Sequence, residues 1–421
     1  MAVAEEEIRT PLPSNAGRIE RIRERLGLYG LFGALAAFTL CTLDGAELAP
    51  RLISAVFLLL AAAYLSVPFT QTLSLSLPAV CLLIMTLWGV GQTLLSPQKI
   101  VADGWSGVLF WFTAAMISLV ATQLFRSLRA AAAFRRWFMF FAAGVGLLEL
   151  LEQASHTNLY YWAIASKHRA VFGPFAYWNN FAQFVELALP ITLWAGLSKR
   201  HSSPIPFLFL AAFEIGAVVA SGSRAGTALV LAELVVVVVL AYRKLRDRRF
   251  LIGAALAFGL SFLTIFGAGT TVLIQKLQEH DQLAVRRSIN QSSLEMIRER
   301  PLSGWGLKTY VPVYRMFAHY DDGTYVNQAH NDWFEWAAEG GIPFACFMLV
   351  IFVWSIRPAL DSIWGVGLIA ICLHAAVDYP FARLGVCSWY FALVPMFAAE
   401  IGERRKQAVT TAAPNTSSST E

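Results

Sequence analysis

Apolar residues along this chain gather into long runs separated by short polar connections. Twelve runs stand out: Leu28–Leu43, Leu52–Val67, Leu73–Leu95, Gly107–Phe125, Trp137–Leu151, Trp178–Leu197, Ile205–Ala220, Ala225–Tyr242, Phe250–Ile274, Ile342–Ile356, Ile363–Ala376 and Leu384–Ile401. A helix needs about 20 predominantly apolar residues to cross a bilayer, and several of these runs are shorter. The pattern predicts an all-α polytopic membrane protein of about 12 transmembrane helices. One connection is long, Lys276 to Gly341, between the ninth and tenth runs. Within it the pattern predicts a helix from Arg286 to Arg300, stopped by Pro301. A second helix begins at His330 and is broken by Gly340, Gly341 and Pro343 ahead of the next span. A shorter polar stretch runs from Glu152 to Tyr177.

The organisation that follows is a tail over 1–27, spans over 28–274, the long helical loop over 275–341, spans over 342–402 and a tail over 403–421. Residues 1–17 and the Ser/Thr-rich end after Gln407 have the composition of disordered tails. The first apolar run starts late and is followed at once by further spans, which is not the pattern of a cleavable signal peptide.

Composition agrees with the pattern: 57% of the 421 residues are hydrophobic and 14% charged, with a mean hydropathy of +0.55. Charge then orients the spans, because Lys and Arg beside spans stay on the cytoplasmic side. With the N terminus inside, the cytoplasmic connections hold Arg18 to Arg25, Arg126 to Arg136, Lys199 and Arg200, Arg243 to Arg249, Arg357, and Arg404 to Lys406. Short outer connections hold few cations: Arg51, Lys99 and Arg383. Both ends are therefore expected inside, and the two long polar stretches outside, which in a bacterium means a periplasmic loop on the inner membrane. The sequence pI of about 9.0 is accounted for by this asymmetry, so nucleic acid is not an expected partner, whereas the lipid bilayer is.

Cys41, Cys81, Cys346, Cys372 and Cys387 all lie in apolar runs without CxxC spacing and read as small buried hydrophobes. The outer loop is where chemistry is expected. It collects His280, Arg286, Arg287, Arg298, Arg300, Lys308, Arg315, His319 and His330. His330 opens the stretch HNDWFEWAAEGG, whose Trp333, Phe334 and Trp336 suit a membrane interface. Arg224, in SGSRAG, is expected at the outer bilayer edge, where a guanidinium is costly without a partner and where its planar fork suits a diphosphate. Arg286 and Arg287 either bind an anion or form a solvated basic face. Asn179 and Asn180 enter the sixth run, where amides either bind sugar hydroxyls or cap the helix. Glu149, Glu152, Glu186, Glu214 and Glu233 fall in or beside apolar runs, and intramembrane carboxylates are candidates for function.

No HExxH, Walker loop, GxSxG or outer DxD pair is present. His319, Asp321 and Asp322 match no standard metal spacing, so neither a metal nor another cofactor is expected.

From Phe172 to Phe381 the chain resembles the O-antigen ligase and polymerase family of bacterial polysaccharide assembly. The resemblance rests on GPFAYWNNFAQFVELALP, SGSRAG, the stretch from Arg286 through MIRERPLSGWG, AHNDWFEWAAEGGIPF and HAAVDYPF, in that order. Its strongest part is the spacing of His330, Asn331, Phe334, Glu339 and Gly341. Tyr177 stands where the family often has Asn, and Asn290 where it often has Trp. The resemblance implies a metal-independent, inverting glycosyltransferase whose donor is a glycan on undecaprenyl diphosphate. It implies His330 as the base for the acceptor hydroxyl, and Arg224 and Arg286, with Arg287, at the diphosphate. Asn179, Asn331 and Glu339 would contact substrate or tune the site. The acceptor would be a lipid A core for a ligase, or the growing glycan for a repeat-unit polymerase; transfer to protein fits less well. From a different class, a transporter or flippase of lipid-linked glycans would also use about 12 spans and buried glutamates, but it should show corresponding halves, and no internal repeat is evident.

Overall fold

In the computed structural model of the protein, residues 15–43, 48–66, 73–95, 101–166, 171–198, 203–245, 248–267, 274, 282–319, 326–396 and 399 are described. Each of the twelve apolar runs carries a helix: α1 (Asn15–Leu40), α2 (Leu48–Ser66), α3 (Leu77–Leu95), α4 (Val101–Leu124), α5 (Leu128–Ser155), α6 (Trp178–Leu197), α7 (Ile205–Ser221), α8 (Arg224–Leu245), α9 (Arg248–Gly267), α12 (Asp332–Ser362), α13 (Val366–His374) and α14 (Leu384–Met396). The long loop adds α10 (Gln282–Glu299) and α11 (Tyr310–Phe317). By length and composition, six helices among the described residues can cross a membrane: α2, α3, α4, α5, α8 and α12. Shorter apolar helices cover Ile205–Ser221, Ile252–Ile265 and Leu384–Met396. α1 begins inside the stretch read as a tail, where Arg23 and Glu20 pair at 3.6 Å one turn apart. Among the described residues the extended pairing is confined to the Glu152–Tyr177 loop, where a small antiparallel hairpin pairs Leu159 with Ala165 and Tyr160 with Ile164, and an isolated bridge joins Phe172 and Phe175.

α14 is the centre of the bundle. It is apolar all round and almost wholly buried, as a helix surrounded by other helices must be. Its Trp389 stacks on Phe138 of α5 at 4.4 Å and donates its indole N–H to Thr39 of α1 at 2.8 Å. Two of the buried carboxylates have hydrogen-bond partners. Glu186 of α6 and His374 of α13 meet at 2.7 Å with both side chains fully buried, and Glu214 accepts from Thr192 at 3.1 Å. Three of the five glutamates read as candidates, Glu186, Glu214 and Glu233, thus lie in the core where α6, α7 and α8 pack. Cys81, Cys372 and Cys387 are buried, but Cys41 is only partly buried and Cys346, on α12, is exposed, against the expectation for all five.

Contacts between connections sort into two groups. At one end Ser127 donates to Glu24 at 2.7 Å, Arg135 lies 4.9 Å from the Trp364 ring, and Lys244 donates to the Asp361 carbonyl. At the other, Gln153 donates to the Ala220 carbonyl at 3.0 Å, Trp88 to that of Gly340 at 2.9 Å, and Thr39 to that of Gly385 at 2.9 Å. The first group lies at or near connections that the charge pattern places inside, and the second at or near those it places outside.

α12 breaks where the sequence predicts, at Gly341, whose φ of 77° and ψ of 171° leave the helical region. The break frees the carbonyls of the preceding turn, and the 301–306 turn fills them: Trp305 N–H bonds Ala338 at 3.0 Å and Gly306 N–H bonds Glu339 at 2.9 Å. Ile342 N–H bonds the Pro301 carbonyl at 2.7 Å, and Gly341 packs so close to this turn that a Cβ there would stand 2.3 Å from the Leu302 carbonyl oxygen. Gly341→Ala is therefore expected to destabilise the protein by at least ~1 kcal/mol from backbone strain alone. A lower midpoint of thermal unfolding in detergent checks this; an unchanged midpoint would show that the kink needs no glycine.

Candidate functional site

α12 does not start at His330. Asn331 is its N-cap, with its side chain accepting from Phe334 N–H at 3.2 Å, and helical residues begin at Asp332. His330 sits just before the cap with φ 51°, in the left-handed region that non-glycine residues seldom occupy. This conformation swings the imidazole off the helix. Asp332 N–H bonds the carbonyls of Ala375 at 2.8 Å and Asp378 at 3.2 Å, and Phe381 N–H bonds the Asp332 carboxylate at 2.8 Å. The helix start and the α13–α14 connection are therefore held as one unit.

That connection supplies the partner. His330 Nδ1 lies 3.2 Å from Asp378 Oδ1; the aspartate side chain is 1% exposed and the imidazole 30%. Among the described residues the ring is hydrogen-bonded through Nδ1 only, and its edge meets the Tyr379 ring at 5.0 Å. Burial by itself raises the Asp378 pKa, but the hydrogen bond from His330 and the charges of His330, His374 and Arg286 outweigh it and hold the carboxyl below its ordinary range. An ionised Asp378 accepts Nδ1–H, which fixes the tautomer with its lone pair on Nε2 and stabilises the imidazolium formed when Nε2 takes a proton.

Asp378 is gripped from the other side as well. Asn179 Nδ2 donates to Asp378 Oδ2, and Ser223 Oγ donates to Asn179 Oδ1 at 2.8 Å. α6 has Tyr177 as its N-cap without a side-chain cap bond, so Asn179 does not cap the helix; Asn180 bonds Gln183 at 2.8 Å. Ser223 caps α8, accepting from Gly226 N–H at 3.1 Å, and Arg224 is the first residue of that helix. The positive end of α8 thus lies one residue from the Ser223–Asn179–Asp378 chain. Arg286, on α10, donates to the Val377 carbonyl at 2.7 Å, next to Asp378. Its neighbour Arg287 is exposed. α10 itself begins at Gln282, four residues before the expected start.

The long loop is not a single site. Arg300 stacks over Trp305 at 4.0 Å, His319 pairs with Glu295 at 2.6 Å, and Lys308 lies elsewhere over the Phe110 ring at 5.0 Å. His280, Asp321 and Asp322 fall outside the described residues. Glu339 is also away from His330, since nine residues of helix advance about 13 Å. Its carboxylate accepts from Tyr310 N–H at 2.9 Å and lines a cavity with Lys308, Glu335 and Arg383. Asp378 lies in the HAAVDYPF stretch, where spacing alone gives it no role. The signal was present: a lone carboxylate in a short outer connection, one residue pair ahead of a proline.

A helical membrane protein whose distant loops meet at an aspartate-backed imidazole, beside a guanidinium and a helix N-terminus, has the parts of an enzyme that activates a hydroxyl against an anionic leaving group. Residues 207–349 match the O-Antigen ligase family model, so over that segment the chain is similar to this family. The matched segment includes Arg224, Arg286, His330, Asn331 and Glu339, while Asn179 and Asp378 lie outside it. No curated protein and no solved structure matches the chain.

Proposed function

We propose that the protein is a glycosyltransferase of the bacterial inner membrane that moves a glycan from undecaprenyl diphosphate to an acceptor hydroxyl on the periplasmic face, with a lipid A core as acceptor. The observation that carries this reading is the His330–Asp378 pair at 3.2 Å, held between Asn179 and Arg286. Nε2 takes the acceptor proton as the hydroxyl oxygen attacks the anomeric carbon. The bond from that carbon to the diphosphate oxygen breaks as the new glycosidic bond forms, and attack opposite the leaving group inverts the centre. Arg224, Arg286 and the N-terminus of α8 offset the charge released on the diphosphate. Twelve spans with both ends inside put these groups on the outer side, and the sorting of connection contacts into two ends supports that topology.

The reaction is expected to need no divalent ion, because guanidinium groups supply the charge that a metal would otherwise bring. The test is transfer by purified protein from a defined lipid-linked donor, with a lipid A core and a free glycan offered as acceptors, in excess chelator and again with magnesium or manganese. Capping of the core at full rate in chelator is the expected result. Chain extension in place of capping would make the protein a polymerase, and loss of transfer restored by metal would end the arginine account.

A further inference from the structure

Next to Asp378 the bundle holds a second acid–imidazole pair. Glu186 of α6 and His374 of α13 meet through Oε1 and Nδ1 at 2.7 Å, and both side chains are 0% exposed. Replacing such a pair by apolar side chains of similar volume is often neutral or stabilising, so stability alone is a weak reason for its presence in an apolar core. Its place in the chain gives a stronger one. His374 ends α13 four residues before Asp378, and its carbonyl accepts from the N–H groups of Val377 and Asp378, each at 2.9 Å.

α6 therefore grips this segment twice. Asn179 donates to the Asp378 carboxylate, and Glu186, two helical turns further along α6, holds the His374 side chain. The two helices approach so closely that a Cβ at Gly367 would overlap the Glu186 carbonyl oxygen. On the other side, Arg286 of α10 bonds the Val377 carbonyl at 2.7 Å. From this geometry we propose that Glu186 and His374 are positioning residues for the transfer reaction: the pair braces the end of α13 against α6 and so sets the Asp378 carboxylate against His330. The assignment rests on the transferase reading above, in which His330 is the base.

The brace acts through place and through charge. A His374 side chain tied to Glu186 cannot swing without moving the carbonyl that anchors Asp378 N–H. Burial raises the Asp378 carboxyl, and the hydrogen bond and charge of His330, followed by the charges of His374 and Arg286, bring it below its ordinary range. Glu186 is the counter-charge that a fully buried imidazolium at His374 requires. The other ionisable groups acting on these two positions are Glu233 of α8, through Glu186, Asp332 at the start of α12, and Tyr379 beside Asp378.

The test removes the charges and keeps the volume. Glu186→Met/His374→Phe is expected to fold with an unfolding midpoint in detergent at or above that of the unaltered protein, and to transfer glycan roughly tenfold more slowly or worse. Without the His374 cation the Asp378 carboxyl rises, so it takes up its proton at higher pH as the pH falls, and the acid limb of the transfer rate moves up by about one pH unit. Infrared difference titration of the carboxyl band that Asp378→Asn removes reads the same shift without turnover. Glu186→Gln keeps the size of the side chain and carries the same readings if the double variant is not recovered. An unaltered rate and acid limb in the double variant would make the pair a structural contact and overturn the proposal. Slower transfer with the Asp378 band titrating at its original pH would overturn it too, since the brace would not then act through Asp378. If the unaltered protein transferred no glycan, the transferase reading would fail by itself; an upward shift of the band would still support the coupling of the pair to Asp378, and an unmoved band would overturn it.

Discussion

His330→Ala is expected to abolish glycan transfer while the amount of protein in the membrane stays normal, and Asp378→Asn is expected to come close to it. Removal of a general base typically costs on the order of a hundredfold or more. Asp378→Asn keeps the size of the side chain but removes the charge that stabilises an imidazolium, and its amide N–H faces Nδ1, which turns the ring toward the tautomer with the proton on Nε2. The aspartate side chain is 1% exposed and also accepts from Asn179, so the substitution disturbs a closed arrangement and not a free surface group. Initial rates of transfer from a defined lipid-linked donor, at equal amounts of purified protein, measure both effects. If His330→Ala retained transfer within a few-fold, the imidazole would leave the mechanism. If only Asp378→Asn retained it, the pair would be a structural contact.

Arg224→Lys and Arg286→Lys are expected to be nearly as defective as the corresponding alanine variants. Lysine keeps the charge but loses the planar fork that meets two phosphate oxygens at once. Arg286 already donates to the Val377 carbonyl, so a lysine there must also replace a bond that aligns α10 with the Asp378 connection. Arg287 is exposed beside it, and Arg287→Ala is expected to keep most activity, which distinguishes the two neighbours that the sequence leaves equivalent. Rates at saturating donor and the donor concentration at half-maximal rate make the comparison. Full activity in the lysine variants would mean that charge alone suffices, and Arg224 would then mark a helix end.

Much of this architecture was legible before any coordinates. The twelve helical runs, the break at Gly341 and the stop at Pro301 follow from local rules, because apolar length, a glycine able to take a φ of 77° and the missing proline N–H act within a few residues. The similarity to the O-Antigen ligase family model over residues 207–349 was legible for a related reason: the motifs that carry it have fixed spacing within single segments. What the sequence could not show is which side chains meet across segments. Asn179 stands 199 positions from Asp378, and His330 stands 48 from it. Pairing over such separations is decided by helix packing and not by spacing. The same reason separates Glu339 from His330, although both belong to one stretch of sequence, and joins Glu186 to His374, which no stretch contains. The sequence by itself determined a helical membrane chain, its expected sidedness and the residue types available for chemistry. Only the tertiary structure decided that a buried aspartate backs the histidine, because a carboxylate in a short loop has no visible partner until distant helices bring one within 3.2 Å.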